Sequence, residues 1–250
     1  APLDDPLGLH RQIEAVKLAF IDGLHYIADP RYMKVSTEEM LSPEYAAARR
    51  KLIGEKALEP APGNPKNPGT VYLCAADDEG NMISYIQSNY AGFGSGVVVP
   101  GTGVALQNRG SGFNLNPESA NVAAPGKRPY HTIIPGFLTK DGKPVGPFGV
   151  MGGFMQPQGH VQVATRLIDG GLNPQACIDA PRWMWTAGKN IRLEPEYPAY
   201  LAESLVQRGH KISFEGNRGV FGRSQMIFKT PYGTLIGGTE SRCEGACAAW

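Results

Sequence analysis

Apolar residues recur every three to four positions near the start of the chain. The segment LGLHRQIEAVKLAFIDGLHYIAD, positions 7–29, therefore predicts a long amphipathic helix. A second helix is predicted from Pro43 to about Ile53. Ser42 can cap it, Pro43 presets its first dihedral angle, and Glu44 puts a negative charge at its N-terminus. This opening part of the chain carries no strand pattern.

The pattern then breaks at a proline-rich stretch, EKALEPAPGNPKNPG, positions 55–69. Prolines lack the backbone N–H, so this stretch can donate few backbone hydrogen bonds. We therefore predict an exposed connector. It divides the chain into residues 1–69 and residues 70–250.

Strand patterns dominate after Gly69. The runs TVYLCAAD and MISYIQSN flank the turn-rich DDEGN, which predicts a hairpin whose acidic tip is solvated. Further short strands are predicted at GVVVP, YHTIIPGFLT, KPVGPFGVM, KISFEG, SQMIFKT and GTLIGGT. Helical spacing occurs between them in GHVQVATRLIDGG, PQACIDAPRWM and PAYLAESLVQRG. Helices placed within a strand series favour a layered α+β fold.

Composition narrows the function. The chain has 250 residues, of which 42% are hydrophobic and 19% charged, and its net charge is +1. This is a globular composition without the basic surface that nucleic acid or an anionic membrane would select, so we expect a small-molecule substrate. No apolar run approaches the roughly 20 residues that span a bilayer. The first residues lack a signal-peptide pattern, and the cytoplasm is favoured over the periplasm or the exterior.

The cysteines do not form a disulfide framework. There are four, and Cys243 and Cys247 form a C-x3-C pair that leaves a metal or redox site open. No histidine or third cysteine lies near them in sequence, so we predict neither a metal nor a cofactor.

Thr70 lies where the connector meets the first strand. A threonine there is ordinarily a strand former. Downstream blocks give the position more meaning: S-N-Y-A-G-F-G-S-G, K-R-P-Y-H-T-I-I-P, G-V-M-G-G-F, G-L-N-P-Q-A-C-I-D-A-P-R and G-G-T-E-S-R. In this order they resemble the γ-glutamyltranspeptidase family across nearly the whole chain. The resemblance implies an Ntn-hydrolase fold, a four-layer αββα sandwich with the nucleophile at the start of an inner strand.

The resemblance also implies a division of labour. Residues 1–69 would be the end of the large subunit, and residues 70–250 would be the small catalytic subunit. Most of the large subunit would precede residue 1 and would form a heterodimer with the small subunit after cleavage.

The residues fit the implied chemistry. The Thr70 hydroxyl would attack the Gly69 carbonyl in the precursor, and Gly69 has no side chain to obstruct it. The freed α-amino group, with a pKa of about 7.7–8.0, would then act as general base. Gly152 and Gly153 would supply an oxyanion hole, and Ser88 would hydrogen-bond the nucleophile. Turn glycines and a plain strand serine are the alternative interpretations.

The chain departs from the family where γ-glutamyl groups are selected. Tyr130 and His131 stand in place of two serines, and Gly112 in place of an acid that holds the substrate's amino group. Arg109 replaces a neutral or acidic residue, and Val71 replaces the second threonine of a Thr-Thr pair. We expect Tyr90, Arg109, Tyr130 and His131 to bind substrate, with an anionic group preferred. Arg109 exposed to solvent or paired with a structural acid is the alternative.

These observations predict an autoprocessing, threonine-dependent amidohydrolase that acts on a small amide with a nearby carboxylate, such as oxamate. The alternatives are a true γ-glutamyltransferase or glutathione hydrolase, and a cephalosporin-type acylase. An inactive binding or structural subunit is the non-enzymatic alternative.

Overall fold

The structure, a computed structural model, describes residues 5–59 and 69–250. The helices are α1 (Pro6–Tyr26), α2 (Thr37–Met40), α3 (Pro43–Arg50), α4 (Met155–Ile168), α5 (Pro174–Asp179) and α6 (Ala199–Gln207). The strands are β1 (Gly69–Ala76), β2 (Met82–Tyr90), β3 (Gly136–Lys140), β4 (Lys143–Met151), β5 (Trp183–Ala187), β6 (Asn190–Leu193), β7 (Lys211–Phe214), β8 (Arg223–Lys229) and β9 (Leu235–Thr239). Most of the proline-rich connector, residues 60–68, lies outside the described residues.

The predicted first helix is confirmed as α1. It begins where the Asp5 carboxylate accepts hydrogen bonds from Leu7 N and Gly8 N, which satisfies two of the unpaired amides of the first turn. Its apolar face packs on α6 and on the sheet of β5, β6 and β7. The residues of this core are Leu9, Ile13, Val16, Phe20, Trp183, Trp185, Ile191, Leu193, Leu201, Ala202 and Leu205.

The predicted hairpin is confirmed as the antiparallel pair β1–β2. Its turn is closed by Asp77, whose carboxylate accepts hydrogen bonds from the backbone and side chain of Asn81. Alternation of side chains gives the hairpin two faces. Thr70 and Tyr72 point inward and are buried, whereas Val71 and Leu73 point outward and are exposed.

The hairpin covers one face of a second sheet, ordered β3-β4-β8-β9. The contact is close, because a side chain at Gly149 of β4 would collide with the ring of Tyr72. Helices α4 and α5 cover the other face through a core of Phe148, Val150, Val163, Cys177, Ile178 and Met226. The layered α+β arrangement predicted from the sequence is therefore present, with hairpin, sheet and helices stacked in that order.

Two buried glutamines join α4 to the neighbouring sheet. The Gln158 amide exchanges two hydrogen bonds with the backbone of Trp185, and the Gln162 amide does the same with Trp183. The side-chain amides thus take the place of a neighbouring strand along the edge of β5. This fixes the helix that follows the two glycines at the end of β4.

Several predicted elements are wrong in detail. GVVVP forms only an isolated bridge between Val98 and Ala105, and the strand predicted at YHTIIPGFLT begins only at Gly136. The helix predicted over PQACIDAPRWM ends at Asp179, and its last residues enter β5. The β5 and β6 strands were not predicted, because their apolar residues are buried by α1 and α6, which come from distant parts of the sequence.

Among the described residues, no helix combines the length and the apolar character needed to span a membrane.

Candidate active site

Thr70 is held at the inner face of β1, in contact with a second hydroxyl. Its side chain is buried, and Thr70 Oγ1 lies 3.0 Å from Ser88 Oγ on β2. Ser88 Oγ also accepts a hydrogen bond from Tyr90 N at 3.0 Å. The register of the hairpin shifts between Gly69 and Val71, so the bulge falls at the predicted nucleophile. Bulges of this kind re-aim side chains at strand ends.

A cavity of about 450 Å³ opens beside this strand end. Two lining residues are adjacent to predicted catalytic positions. Tyr90 is the register partner of Gly69, and Phe154 directly follows Gly153. Thr70 itself is not among the lining residues. The full lining is Leu24, Tyr90, Ala91, Arg109, Ser111, Gly112, Asn114, Asn121, Tyr130, His131, Thr132 and Phe154.

Gly152 and Gly153 form the turn between β4 and α4. Their φ angles are +137° and +57°, values that side chains rarely tolerate. No hydrogen bond of the described residues uses the N–H of either glycine, whereas both carbonyls are bonded, to Met155 N and Gln156 N. Two unused N–H groups at the N-terminus of a 14-residue helix are suited to bind an anionic oxygen.

Arg109 brings a positive charge to the cavity. The residue is 8% exposed, and its guanidinium lies 5.2 Å from the centre of the Tyr90 ring. Burial lowers its pKa, and none of the described carboxylates forms an ion pair with it. The alternative of an exposed or acid-paired arginine therefore does not hold within the described residues.

Tyr130 and His131 also line the cavity, as predicted. Burial raises the pKa of Tyr130 to about 12, and its ring stacks on Phe154 with the centroids 6.2 Å apart. Burial, and then the charge of Arg109, lower the pKa of His131, which keeps the imidazole neutral near pH 7. The lining residues that the structure describes include no Asp or Glu, so Arg109 is the one permanent charge among them.

The departures from the family pattern have structural reasons. A Cβ at Gly112 would lie 2.9 Å from the carbonyl oxygen of Tyr130, so an acid cannot be accommodated there without movement. Val71 is 62% exposed on the outer face of β1, on the side of the strand opposite Thr70. In this chain it therefore has no contact with the cavity.

Asn121 is a site residue that the sequence analysis missed. Its amide nitrogen donates to Gly112 O at 2.6 Å, and its amide oxygen accepts from Tyr130 N at 3.0 Å. It thereby joins the Arg109–Gly112 turn to the Tyr130–His131 segment. No local signal marked it, since an asparagine between turn residues is common in loops.

His160 is buried against Phe148, and its Nδ1 lies 2.7 Å from Gln156 O, so it packs within α4 and does not line the cavity. A separate group of ionisable side chains lies outside the cavity, where His10, Glu14 and His210 bring side-chain nitrogen and oxygen atoms within 4.8 Å of one another. Because His10 and His210 are 200 positions apart in the sequence, local spacing could not reveal this group.

Comparison with known proteins gives the chain its family. The family model for gamma-glutamyltranspeptidase matches residues 1–250. A glutathione hydrolase-like proenzyme of Bacillus subtilis is 36% identical over 95% of the chain and 46% of its own length. An oxamate amidohydrolase proenzyme of Klebsiella pneumoniae is 35% identical over 100% of the chain and 48% of its own length. The chain thus spans about half the length of these curated relatives.

A solved structure agrees with the sequence relatives. The crystal structure of a cephalosporin acylase from Bacillus halodurans superposes with a TM-score of 0.93 and is 60% identical, covering 99% of this chain and 46% of that one. The predicted N-terminal-nucleophile fold is confirmed by this match. The chain belongs to the gamma-glutamyltranspeptidase family.

Proposed function

We propose that this chain is the C-terminal part of an autoprocessing N-terminal-nucleophile amidohydrolase with Thr70 as nucleophile. The observation that carries the proposal is the buried Thr70 hydroxyl, 3.0 Å from Ser88 Oγ and directly after Gly69 at the start of an inner strand. The family match, whose relatives are named as proenzymes, supports it.

In the proposed precursor step, Thr70 Oγ1 attacks the Gly69 carbonyl carbon. The C–N bond breaks as the amine takes a proton, and water hydrolyses the resulting ester. The freed amine of Thr70 then accepts the hydroxyl proton when the same oxygen attacks a substrate amide, and the leaving amine takes that proton as the substrate C–N bond breaks. The N–H groups of Gly152 and Gly153 stabilise the oxyanion, and water releases the acyl group. These reaction steps use no metal and no cofactor.

Thr70→Ala in the full-length protein tests the nucleophile. We expect the parent to give two fragments by intact mass, with the second beginning at Thr70, and the variant to remain one chain. Ser88→Ala should cleave more slowly but at the same bond, because it removes a partner of the hydroxyl and not the hydroxyl itself. A Thr70→Ala protein that still yields a fragment starting at residue 70 would contradict autoproteolysis.

We propose further that the substrate is a small amide carrying an anionic group near the scissile bond. Arg109 supports this, because a guanidinium can bind a carboxylate with two parallel hydrogen bonds and none of the described lining residues is an acid that could pair with it. Recognition of a free α-amino group would require an acid, and the site at Gly112 has no room for one. A γ-glutamyl amide with a free amino group is therefore disfavoured, and oxamate meets the requirement.

Arg109→Ala tests this specificity. For an anionic amide, we expect kcat/KM to fall about 10–100-fold, the scale of a lost charge-assisted hydrogen bond of roughly 1.5–3 kcal/mol. A neutral amide of similar size should lose much less. Arg128→Ala, an exposed arginine that is not part of the cavity lining, is the matched control. Equal losses on both substrates, or a parent enzyme that prefers γ-glutamyl amides, would contradict the proposal.

An acylase acting on a larger amide is the second candidate. It is favoured by the 60% identity to the Bacillus halodurans cephalosporin acylase, which exceeds the 35% identity to the oxamate amidohydrolase. A cephalosporin nucleus also carries a carboxylate, so Arg109 fits both candidates. Comparing oxamate with an acylated cephalosporin as substrates of the same preparation would separate them.

We also propose that the partner of this chain is the large-subunit portion that precedes residue 1 in the relatives. The outer face of the β1–β2 hairpin supports this, because Val71, Leu73, Ile83 and Tyr85 are all more than 40% exposed on it. Apolar residues clustered on one sheet face favour burial against another layer. After cleavage at Thr70, the two parts would remain together as a heterodimer.

A further inference from the structure

A buried group of ionisable side chains lies between α1 and the corner that joins α6 to β7. His10, Glu14 and Lys17 occupy one face of α1 and are each 0% exposed, and His210 precedes β7 and is 3% exposed. None of the four lines the candidate active-site cavity. A buried charged pair is stable only when its polar atoms have partners. The hydrogen bonds of the group therefore indicate the protonation state of each side chain.

The contacts determine which atom donates each hydrogen bond within the group. His10 Nε2 lies 3.1 Å from Gly54 O, a group that only accepts, so Nε2 carries the proton. His10 Nδ1 then accepts from His210 Nε2 at 2.8 Å. His210 Nδ1 in turn accepts from the Lys17 ammonium at 3.4 Å. The ammonium also donates to Glu14 Oε1 at 2.7 Å.

The same group grips a separate piece of backbone, residues 54–58, which we call the strap. Besides Gly54 O, the strap offers Leu58 N to Glu14 Oε2 at 2.9 Å and Leu58 O to Lys17 Nζ at 3.4 Å. Its middle is bonded to the α6–β7 corner, through Ala57 N to Arg208 O at 2.7 Å. The strap is thus held both by α1 and by the part of the chain that follows Thr70.

We propose that the chain Glu14–Lys17–His210–His10 is a proton-locked latch that joins α1 and the strap to the catalytic half while both histidines are neutral. The latch matters most if the bond before Thr70 is cut, so this part rests on the proposed function. Cleavage would make the strap the tail of one product and His210 a residue of the other. The latch is then an interface between two separate chains.

Acid opens the latch because a second proton has no acceptor. A proton added to His10 Nδ1 would face the N–H of His210, and one added to His210 Nδ1 would face the Lys17 ammonium. Burial and then Lys17 lower the pKa of His210 to about 3, and burial lowers that of His10. The charged groups facing the histidines are Glu14, Lys17, Lys189 and Arg208. The Gly54 carbonyl bonded to His10 favours protonation, and among the charged groups only Glu14 does so; burial and the cations oppose them.

The direction of the pH dependence follows from the difference in proton uptake between the latched and the separated states. Above pH about 6.5 the histidines are neutral in both the latched and the separated states, so the latch keeps its full strength. Below that value the separated state takes up protons that the latched state refuses. The latch therefore weakens as the pH falls from about 6.5 towards the depressed pKa values. Lys17 already supplies the positive charge beside Glu14, so a divalent ion is not needed at His10, Glu14 and His210.

The test uses the full-length cleaved protein and measures the dissociation constant of its two fragments at a fixed urea concentration, by size-exclusion chromatography over a range of protein concentrations between pH 7 and pH 5. We expect the dissociation constant of the parent to rise up to about tenfold per pH unit for each histidine below pH about 6. The double variant His10→Gln, His210→Gln should lose most of this dependence. The control His25→Gln replaces an exposed histidine of the same helix and should keep it. Equal pH slopes in the parent and the double variant would overturn the latch.

Two further measurements keep the outcomes distinct. In uncleaved Thr70→Ala protein, urea unfolding should show the same extra pH slope, so a failure of cleavage is separable from a failure of the latch. If the double variant does not fold, deuterium exchange at the Cε1 positions of His10 and His210, followed by mass spectrometry, reports their pKa values in the parent. Either histidine titrating near 6.5 would contradict the proposal. So would zinc that raises the urea midpoint of the parent, because it would make the group a metal site.

Discussion

Among single residues, the space at position 112 bears most directly on the proposed specificity. Gly112 sits under the carbonyl of Tyr130, and Asn121 bonds to both loops, so the wall of the cavity is set by backbone and not by a flexible side chain. Arg109 adds a positive charge next to this backbone wall. Where the family pattern places an acid, this chain has a glycine beside a buried arginine, which is the basis of the proposed preference for an anionic amide.

Gly112→Asp tests this interpretation. We expect the variant to lose about 1–3 kcal/mol of stability from overpacking, and to gain no activity on γ-glutamyl amides. Gly110→Asp is the matched control, since it lies in the same turn with no heavy atom within 4 Å of the added Cβ. Its stability should change by less than about 0.5 kcal/mol. Thermal unfolding and a γ-glutamyl amide assay decide the matter, and a stable Gly112→Asp protein with γ-glutamyl activity would refute it.

Among the structural elements, the turn between β4 and α4 needs glycine for its backbone conformation and is also the proposed oxyanion hole. A Cβ at Gly152 would lie 3.1 Å from Gly222 Cα, and Gly153 has a φ of +57°. The helix behind the turn is fixed to β5 by Gln158 and Gln162. The two N–H groups are therefore held before any substrate arrives, which is what oxyanion stabilisation requires.

Gly153→Val should lower kcat by about 10²–10³, the usual loss when one oxyanion donor is displaced. Gly171→Val is the control, because Gly171 follows the other end of α4 with a φ of +63° and no heavy atom within 4 Å of an added Cβ. Both variants bear a similar backbone penalty of about 1–2 kcal/mol. Steady-state kinetics on folded protein should show the loss in kcat only for Gly153→Val. Unchanged kcat would place the oxyanion hole elsewhere.

Across the whole molecule, a buried ionic network joins the segment 240–242 to the core. Glu240 Oε2 accepts from Arg182 Nη2 at 2.9 Å and from Ser224 N at 2.8 Å, and its Oε1 accepts from Arg242 Nη1 at 2.8 Å. All three charged side chains are fully buried. The Arg182 guanidinium also donates to Gly222 O at 2.9 Å, beside the Gly152 turn.

Glu240→Ala should destabilise the protein by about 3–5 kcal/mol, because it leaves a buried arginine without its carboxylate. Glu196→Ala is the control: Glu196 Oε1 lies 3.8 Å from Arg218 Nε and its side chain is 52% exposed, so it should cost less than about 1 kcal/mol. Urea unfolding at pH 7 compares the two variants. Equal losses would mean that the network contributes no more than a surface ion pair.

Features that depend on neighbouring residues could be predicted from the amino-acid sequence. The three-to-four spacing predicts α1, and alternation with the DDEGN turn predicts the β1–β2 hairpin, whose first strand contains Thr70 near its start. Each of these signals comes from contacts within a few positions along the chain. They were sufficient for the layered α+β class, whereas the N-terminal-nucleophile fold and four of the cavity residues, Tyr90, Arg109, Tyr130 and His131, were expected from the family resemblance.

Features built from residues far apart in the sequence form only when the chain is packed. The β5 strand depends on glutamines of α4 and apolar residues of α1, and the His10–His210 contact joins positions 200 apart. Asn121 became a site residue because it bonds two loops, and Gly112 became a barrier because Tyr130 lies against it. Burial and hydrogen-bond partners are properties of the packed chain, so no local pattern could have encoded them.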